Sequence, residues 1–369
     1  MSIGTEHEFS VNDPGYFPAP VSDLVIQDLS GRIEGQIPFC RCLLSKELQK
    51  TVLEFIPGRP GPVSRTGAVL QEAIDRFHAR FRGRYALLGL GMHPTARLDQ
   101  TRVWDHDEGE YYAVYDRLFS LRQHGWLNIQ ALQMNLPYRD EADLVAQYNR
   151  VRSLLPYLVA VTAASPLVEG RLTGTMDTRL VMYRENQRQI PLICNGIVPE
   201  KINRLPDYLA LMEEIYHQLR RKGADILCEE WVNSSGVIVR FTRPCIEIKA
   251  LDEQECVRSD MAAVAFVSSL MRAKIRLEED RDELLALTET AIRRGTAGLK
   301  PELLALCKEA EKSANSVERR YLPLIRKRAE EGSLAELVAD RVREQGCTDP
   351  VIRELGMSLR NNIPFTAGS

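Results

Sequence analysis

Three short runs decide how this chain folds: Gly4-Thr5-Glu6-His7-Glu8-Phe9, Ala131-Leu132-Gln133-Met134-Asn135-Leu136 and Cys245-Ile246-Glu247-Ile248-Lys249-Ala250. Each places two polar or charged side chains two residues apart inside an otherwise apolar stretch. Successive side chains of a β-strand point to opposite faces, so each pair faces one way, with Cα atoms roughly 6.5–7 Å apart. One such run alone is an ordinary half-exposed strand with its polar side in water. Three together make a sheet face bearing Glu6, Glu8, Gln133, Asn135, Glu247 and Lys249, a poor core because buried unpaired charge is costly. A divalent cation stabilises clustered carboxylates. Oxygen and amide ligands without a histidine or cysteine cluster suit Mg²⁺ or Mn²⁺ rather than zinc.

Outward from these runs the pattern is mixed. Residues 12–35 form a Pro/Gly/Asp-rich connection with a short strand expected near Leu24–Leu29. Residues 45–55 read as a short amphipathic or extended element carrying two further carboxylates, Glu47 and Glu54. Apolar residues at 69, 70, 73, 74, 77 and 81 predict a helix over 64–82. Tyr85–Gly91 is an apolar run whose Gly89 and Gly91 mark a buried strand where something approaches the backbone. Helices are expected over 108–123, 140–163 and 206–222, with strands at 127–136, 226–231, 237–241 and 245–250. The turn Asn233-Ser234-Ser235-Gly236 reads as a hairpin between two of these strands. From about Val257 onward helix follows helix. The expectation is an α+β fold built on a mostly antiparallel sheet. Its catalytic domain spans 1–256, and a helical C-terminal segment, 257–369, packs on the same domain.

Composition narrows the function. The 369 residues carry 48 basic and 51 acidic side chains, a formal net charge of −3, which argues against a nucleic-acid binder. No apolar run is long enough to span a membrane. Glu6 and Glu8 stand where a signal peptide needs positive charge, so the cytoplasm is the expected compartment. The eight cysteines form no Cys-x-x-Cys pair and the six histidines show no metal-site spacing, which predicts reduced, mostly buried thiols. Arg171, Arg179 and Arg184, and further on Arg240 and Arg243, offer forks for carboxylates and phosphates. There is no P-loop, so a nucleotide would have to be held by metals and arginines on a sheet.

These residues resemble those of a known family. Gly4-Thr5-Glu6-His7-Glu8-Phe9 is similar to the Gly-x-Glu-x-Glu opening strand of the glutamate–cysteine ligase type 2 (carboxylate–amine ligase) family, in the glutamine synthetase-like superfamily. Glu47…Glu54 resembles its second carboxylate element, and Gly91-Met92-His93-Pro94-Thr95-Ala96-Arg97 its Gly-x-His-Pro-Phe-Ala stretch. Ala164-Ser165-Pro166 with Gly170-Arg171-Leu172-Thr173-Gly174 resembles its Ser-Pro…Gly-Arg-x-Thr-Gly loop, and Ile246-Glu247-Ile248-Lys249 with Asp252 its Leu-Glu-Val-Arg-x-x-Asp strand.

The resemblance implies a curved, six-stranded antiparallel sheet forming a funnel, in which ATP is gripped by Mg²⁺ (or Mn²⁺). It implies Glu6, Glu8, Glu54 and Glu247 as metal ligands with Glu47 nearby. Lys249 and Arg240 would meet the phosphates, and Arg171 and Arg179 the substrate carboxylates. The implied reaction joins the carboxylate of glutamate, or a similar amino acid, to an amine such as cysteine through an acyl phosphate. Partners are small molecules, and a homodimer is the expected assembly. Where the family usually carries His-x-His, this chain has Gln133-Met134-Asn135, amides that can donate to phosphate or coordinate weakly. That departure keeps two other readings open: a non-catalytic nucleotide- or amino-acid-binding relative, and a metal-dependent amide hydrolase.

Overall fold

The computed structural model describes residues 2–367. Its main sheet has the strands β1 (Gly4–Asn12), β2 (Gln36–Phe39), β3 (Cys42–Lys46), β4 (Val52–Ile56), β5 (Ala86–Leu88), β6 (Ala131–Pro137), β9 (Val237–Arg240) and β10 (Cys245–Asp252). A separate two-stranded hairpin is formed by β7 (Leu167–Val168) and β8 (Arg171–Leu172). The main sheet runs in the order β2-β3-β4-β1-β6-β10-β9, every pairing antiparallel, with β5 beside the far end of β1. It therefore has eight strands where the resemblance implied six; the short β2 extends one edge, and the three-residue β5 lies beyond β6 on the same side of β1.

Register settles which residues share a face. Glu8 stands opposite Glu54, Glu6 opposite Gln133, and Asn135 opposite Glu247. Directly opposed residues of an antiparallel pair point the same way, so the polar pairs of β1, β6 and β10 and the carboxylate of β4 form one face. The alternate residues, among them Phe9, Phe55, Leu132, Met134, Ile246 and Ile248, form the other face and are all 0% exposed. Helix α8 (Val257–Arg272) packs against both α2 (Val63–Arg80) and α5 (Glu141–Thr162), with α2 also against β4 and α5 against β10. Burying that apolar face supplies the fold's main driving force, at roughly 25 cal/mol per Å² removed from water.

The remaining helices are α1 (Ser22–Ser30), α3 (Gly109–Phe119), α4 (His124–Leu127), α6 (Thr178–Asn186), α7 (Leu205–Arg221), α9 (Arg281–Arg294), α10 (Lys300–Ser313), α11 (Leu322–Glu331), α12 (Leu334–Gln345) and α13 (Asp349–Asn361). One core joins residues of the sheet to residues of α8, α9, α10 and α11. A smaller cluster joins Leu88 and Leu90 to α12 and α13.

Four local expectations are corrected. The strand near Leu24–Leu29 is the helix α1: Val25, Ile26 and Leu29 follow helical spacing, and Gly31, at φ +82°, ends it by donating to Gln27 O at 2.9 Å. Residues 226–231 are not a strand but two short 3₁₀ turns, Asp225–Leu227 and Glu230–Val232. Consequently Asn233–Gly236 is not a hairpin turn. The hairpin is β9–β10, whose turn is held by Glu230 accepting from the N–H groups of Phe241, at 2.8 Å, and Thr242, at 3.3 Å. The helix expected over 108–123 ends at Phe119 and resumes as α4. Among the described residues all eight cysteines are free.

Candidate active site

The polar face of the sheet opens into a cavity of about 730 Å³. Its floor carries Glu8 and Gln133, with Glu47, Arg179 and Lys249 around them. Glu47 lies between β3 and β4, in the segment that leads into the strand bearing Glu54. Oxygen atoms of Glu8, Glu47 and Glu54 lie within 4.8 Å of one another. Burial first, then Glu47, raises the Glu8 carboxyl to about 8. Burial, then Glu6, Glu47 and Glu8, pushes Glu54 well above the carboxylate range, and burial raises Glu47 as well. Acids brought this close repel one another unless a proton or a cation lies between them. The array fits a hard divalent cation, for which carboxylate oxygens are the natural donors.

The amides of β6 orient this cluster. Gln133 Nε2 donates to Glu8 Oε1 at 3.0 Å and Asn135 Nδ2 to Glu6 Oε1 at 2.8 Å, while the Ala131 N–H holds Glu8 Oε2 at 2.8 Å. Glu6 also accepts from Arg243 Nη1 at 2.6 Å. Glu247 turns toward cations: Arg240 Nη1 at 2.6 Å, Lys249 Nζ at 3.5 Å and Arg243 Nη2 at 3.6 Å. Burial opposes its charge, yet Lys249, Arg240 and Arg243 hold its carboxyl below the ordinary value. In return Glu247 holds buried Lys249 protonated, above the usual lysine value. Arg243, 45% exposed in its side chain, bridges Glu6 and Glu247.

Arg179 reaches the cavity from α6. Its Nε donates to Asp252 Oδ1 at 2.5 Å, while Nη2 is buried without a partner among the described residues. Asp252 is locked in turn by the Ala164 N–H and Ser165 Oγ, both at 2.8 Å. The close approach signalled by the glycines at 89 and 91 is here: a methyl group on Gly91 would lie 2.1–2.3 Å from the Asp252 carboxyl atoms, and one on Gly89 2.2 Å from Gln254 O. Arg171 stands outside the cavity, exposed on β8 beside Arg97, Asp99 and Glu169. Arg184 pairs with Glu289 on α9 at 2.9 Å.

One wall escaped the sequence reading. Tyr111 and Tyr115 of α3, Trp126 of α4 and Trp231 line the cavity. Their rings pack edge to face or tilted, with Tyr115–Trp126 centroids 5.3 Å apart and Tyr111–Trp231 centroids 5.9 Å apart. The signal was present in Gly109-Glu110-Tyr111-Tyr112-Ala113-Val114-Tyr115, a helix with aromatics on adjoining faces.

A family model described as glutamate-cysteine ligase family 2 matches residues 2–354. The chain belongs to that family. It is a carboxylate–amine ligase, an enzyme that forms C–N amide bonds. This glutamate-cysteine ligase family 2 enzyme is 47% identical over 337 residues to an uncharacterized protein of Archaeoglobus fulgidus, covering 91% of this chain and 92% of that one. Its fold is similar to the glutamate–cysteine ligase of Francisella tularensis solved in complex with AMP, at TM-score 0.61 and 12% identity over 99% of this chain and 89% of that one. It is likewise similar to the bifunctional glutathione synthetase of Pasteurella multocida, at TM-score 0.64 and 13% identity over 98% of this chain. The family member spans about half of that bifunctional enzyme, 52% of its length. No helix among the described residues is long and apolar enough to cross a membrane.

Proposed function

We propose that this enzyme uses ATP and Mg²⁺ (or Mn²⁺) to join the carboxylate of glutamate, or of a similar amino acid, to the amine of a second small molecule such as cysteine. The observation that carries this reading is the carboxylate cluster of Glu8, Glu47 and Glu54, of which Glu8 and Glu47 line one cavity with Arg179 and Lys249. The AMP in the Francisella enzyme's structure supports a nucleotide substrate. Glu8, Glu47 and Glu54, with Glu6 beside them, would hold the cation, whose charge would polarise the γ-phosphoryl group. Lys249, which lines the cavity, would offset phosphate charge together with Arg240 and Arg243, which Glu247 gathers beside it. Arg179 offers its free Nη2 to the acid substrate. Arg171, outside the cavity, would join it only if the β7–β8 loop folded over.

With the acid so oriented, its carboxylate oxygen attacks the γ-phosphorus in line and ADP leaves. The amine then attacks the acyl carbon of the acyl phosphate, forming the C–N bond, and phosphate leaves. Tyr115, Trp126 and the loop over 169–177 would keep water from the acyl phosphate. Eight free thiols accord with a reducing cytoplasm. The test incubates the protein with ATP, Mg²⁺ and pooled amino acids, reading ADP release and products by mass spectrometry. ADP release that requires an amine establishes the ligase. Amine-independent hydrolysis, or binding without turnover, overturns it in favour of a hydrolase or a non-catalytic relative.

A further inference from the structure

A second set of ligating atoms lies behind the sheet, on the face turned away from the cavity. His7 sits between Glu6 and Glu8, so its ring points the opposite way, into the layer where α8 packs. There His7 Nδ1 is 3.3 Å from Glu253 Oε1 and 3.7 Å from Asp260 Oδ2. All three side chains are 0% exposed, and one ligand atom from each lies within 4.8 Å of the others. No spacing rule could show this group, because His7 and Glu253 are 246 residues apart.

The other polar atoms of these side chains are already engaged. His7 Nε2 pairs with Thr5 Oγ1 at 2.9 Å; with the ring proton donated there, Nδ1 keeps its lone pair. Glu253 Oε2 accepts the Glu8 N–H at 3.2 Å, and the Gln254 N–H is shared, at 3.3 Å each, between Asp260 Oδ1 and Glu253 Oε1, whose second lone pair remains. Asp260 Oδ2 is buried with no donor among the described residues. His7 is the basic group within 4.0 Å of these two carboxyls among the described residues; no lysine or arginine pairs with either. Two carboxyls buried this way need either protons or a compensating charge.

We propose that His7 Nδ1, Glu253 Oε1 and Asp260 Oδ2 form a structural site for one transition-metal dication, zinc or manganese, distinct from the cation of the catalytic cavity. A neutral imidazole and two carboxylates balance a dication. An imidazole among the donors selects a transition metal over magnesium. The separations of 3.3 and 3.7 Å are close to the about 3.3–3.6 Å edges of a tetrahedron with arms of about 2.0–2.2 Å. Thr5 and the Glu8 N–H orient the ligands from outside, as such partners do at known metal sites. The ion would tie α8 to the strand carrying Glu6 and Glu8. The site is closed, so the ion enters as the chain folds.

The test is metal analysis of the full chain, expressed in zinc- and manganese-supplemented medium and dialysed against EDTA under native conditions. About one equivalent of zinc or manganese per chain should survive dialysis that strips the cavity's magnesium, and should disappear in Asp260→Asn. Wild-type protein unfolded in chelator and refolded with Co²⁺ should show the visible d–d absorption of low-coordinate cobalt. Less than about a tenth of an equivalent, with no cobalt band, overturns the proposal and leaves Glu253 and Asp260 sharing a proton. Full metal content in soluble Asp260→Asn overturns it as well. If that variant does not fold, the wild-type dialysis and cobalt measurements decide by themselves.

Discussion

Replacing Glu8 with glutamine should stabilise the cation-free protein, increasingly so as pH rises. Glu8 is 6% exposed, directly opposite Glu54 in the sheet and clustered with Glu47. Burial, then Glu47, moves its carboxyl from an ordinary 4.5 to about 8. At about 1.4 kcal/mol per pH unit, that displacement corresponds to about 5 kcal/mol once both states would otherwise be ionised. The folded state keeps a proton that the unfolded chain releases. Stability is therefore fullest below about pH 4.5 and is lost as pH climbs through about 8, with roughly 3 kcal/mol gone by pH 7. Glutamine carries no charge and can keep the Ala131 bond; losing the second acceptor for Gln133 costs about 1 kcal/mol. The net gain should be about 2 kcal/mol at pH 7 and about 4 kcal/mol at pH 9. Urea denaturation of both proteins between pH 5 and 9, without divalent ions, measures it. Adding Mg²⁺ should then stabilise the wild type and leave the variant nearly unmoved. Parallel pH profiles would refute the reasoning, because they would mean that neither burial nor repulsion acts on Glu8.

Other expectations are sharp enough to measure. Gly91→Ala should cost about 3 kcal/mol in thermal or urea denaturation, because its methyl group meets the Asp252 carboxyl and dislodges Arg179. Arg328→Ala should destabilise by about 3–5 kcal/mol, since it strips buried Glu255 of its ion pair at 2.7 Å; an unchanged denaturation midpoint would show that this ion pair adds nothing to stability. Lys249→Gln should cut ATP turnover by at least about tenfold while ATP still binds, if its charge acts on the transferring phosphate; equal turnover removes Lys249 from the mechanism. Gln133→His with Asn135→His should raise the affinity for Mn²⁺ relative to Mg²⁺, and unchanged relative affinities in calorimetry would place β6 away from the cation.

How much of the fold was legible depended on whether the pattern was local. The alternation in β1, β6 and β10 showed both the strands and their polar face, because a period of two survives any tertiary arrangement. Pairs two apart, such as Glu6 and Glu8, could therefore be assigned one side before their neighbours were known. Residues 22–30 were harder. Val25, Ile26 and Leu29 fit a short strand or one helical face equally well, and the surrounding prolines and glycines biased the reading toward an extended chain. What decides for helix is the left-handed Gly31 at its end. Residues 226–231 failed for a different reason. Glu230 is committed to Arg240 and to the turn after β9, ten to twelve residues on, and that commitment bends the chain out of any strand.

The site divides along the same line. Carboxylates on neighbouring strands announced themselves by spacing, whereas their partners did not. Arg243 reaches Glu6 across 237 residues and Arg179 reaches Asp252 across 73. Nothing local distinguishes these arginines from Arg171, which carries the same side chain and lies outside the cavity. The two amides of β6 gain a physical meaning only in the folded sheet. Standing where the resemblance leads one to expect histidines, Gln133 and Asn135 each donate to a carboxylate of β1. An imidazole there would titrate near about 6.5 and alternate between donating and accepting. An amide donates at every pH, so the orientation of Glu6 and Glu8 is decoupled from protonation on β6. The price is a weaker ligand, and it falls on transition metals rather than on the hard cations that clustered carboxylates already favour.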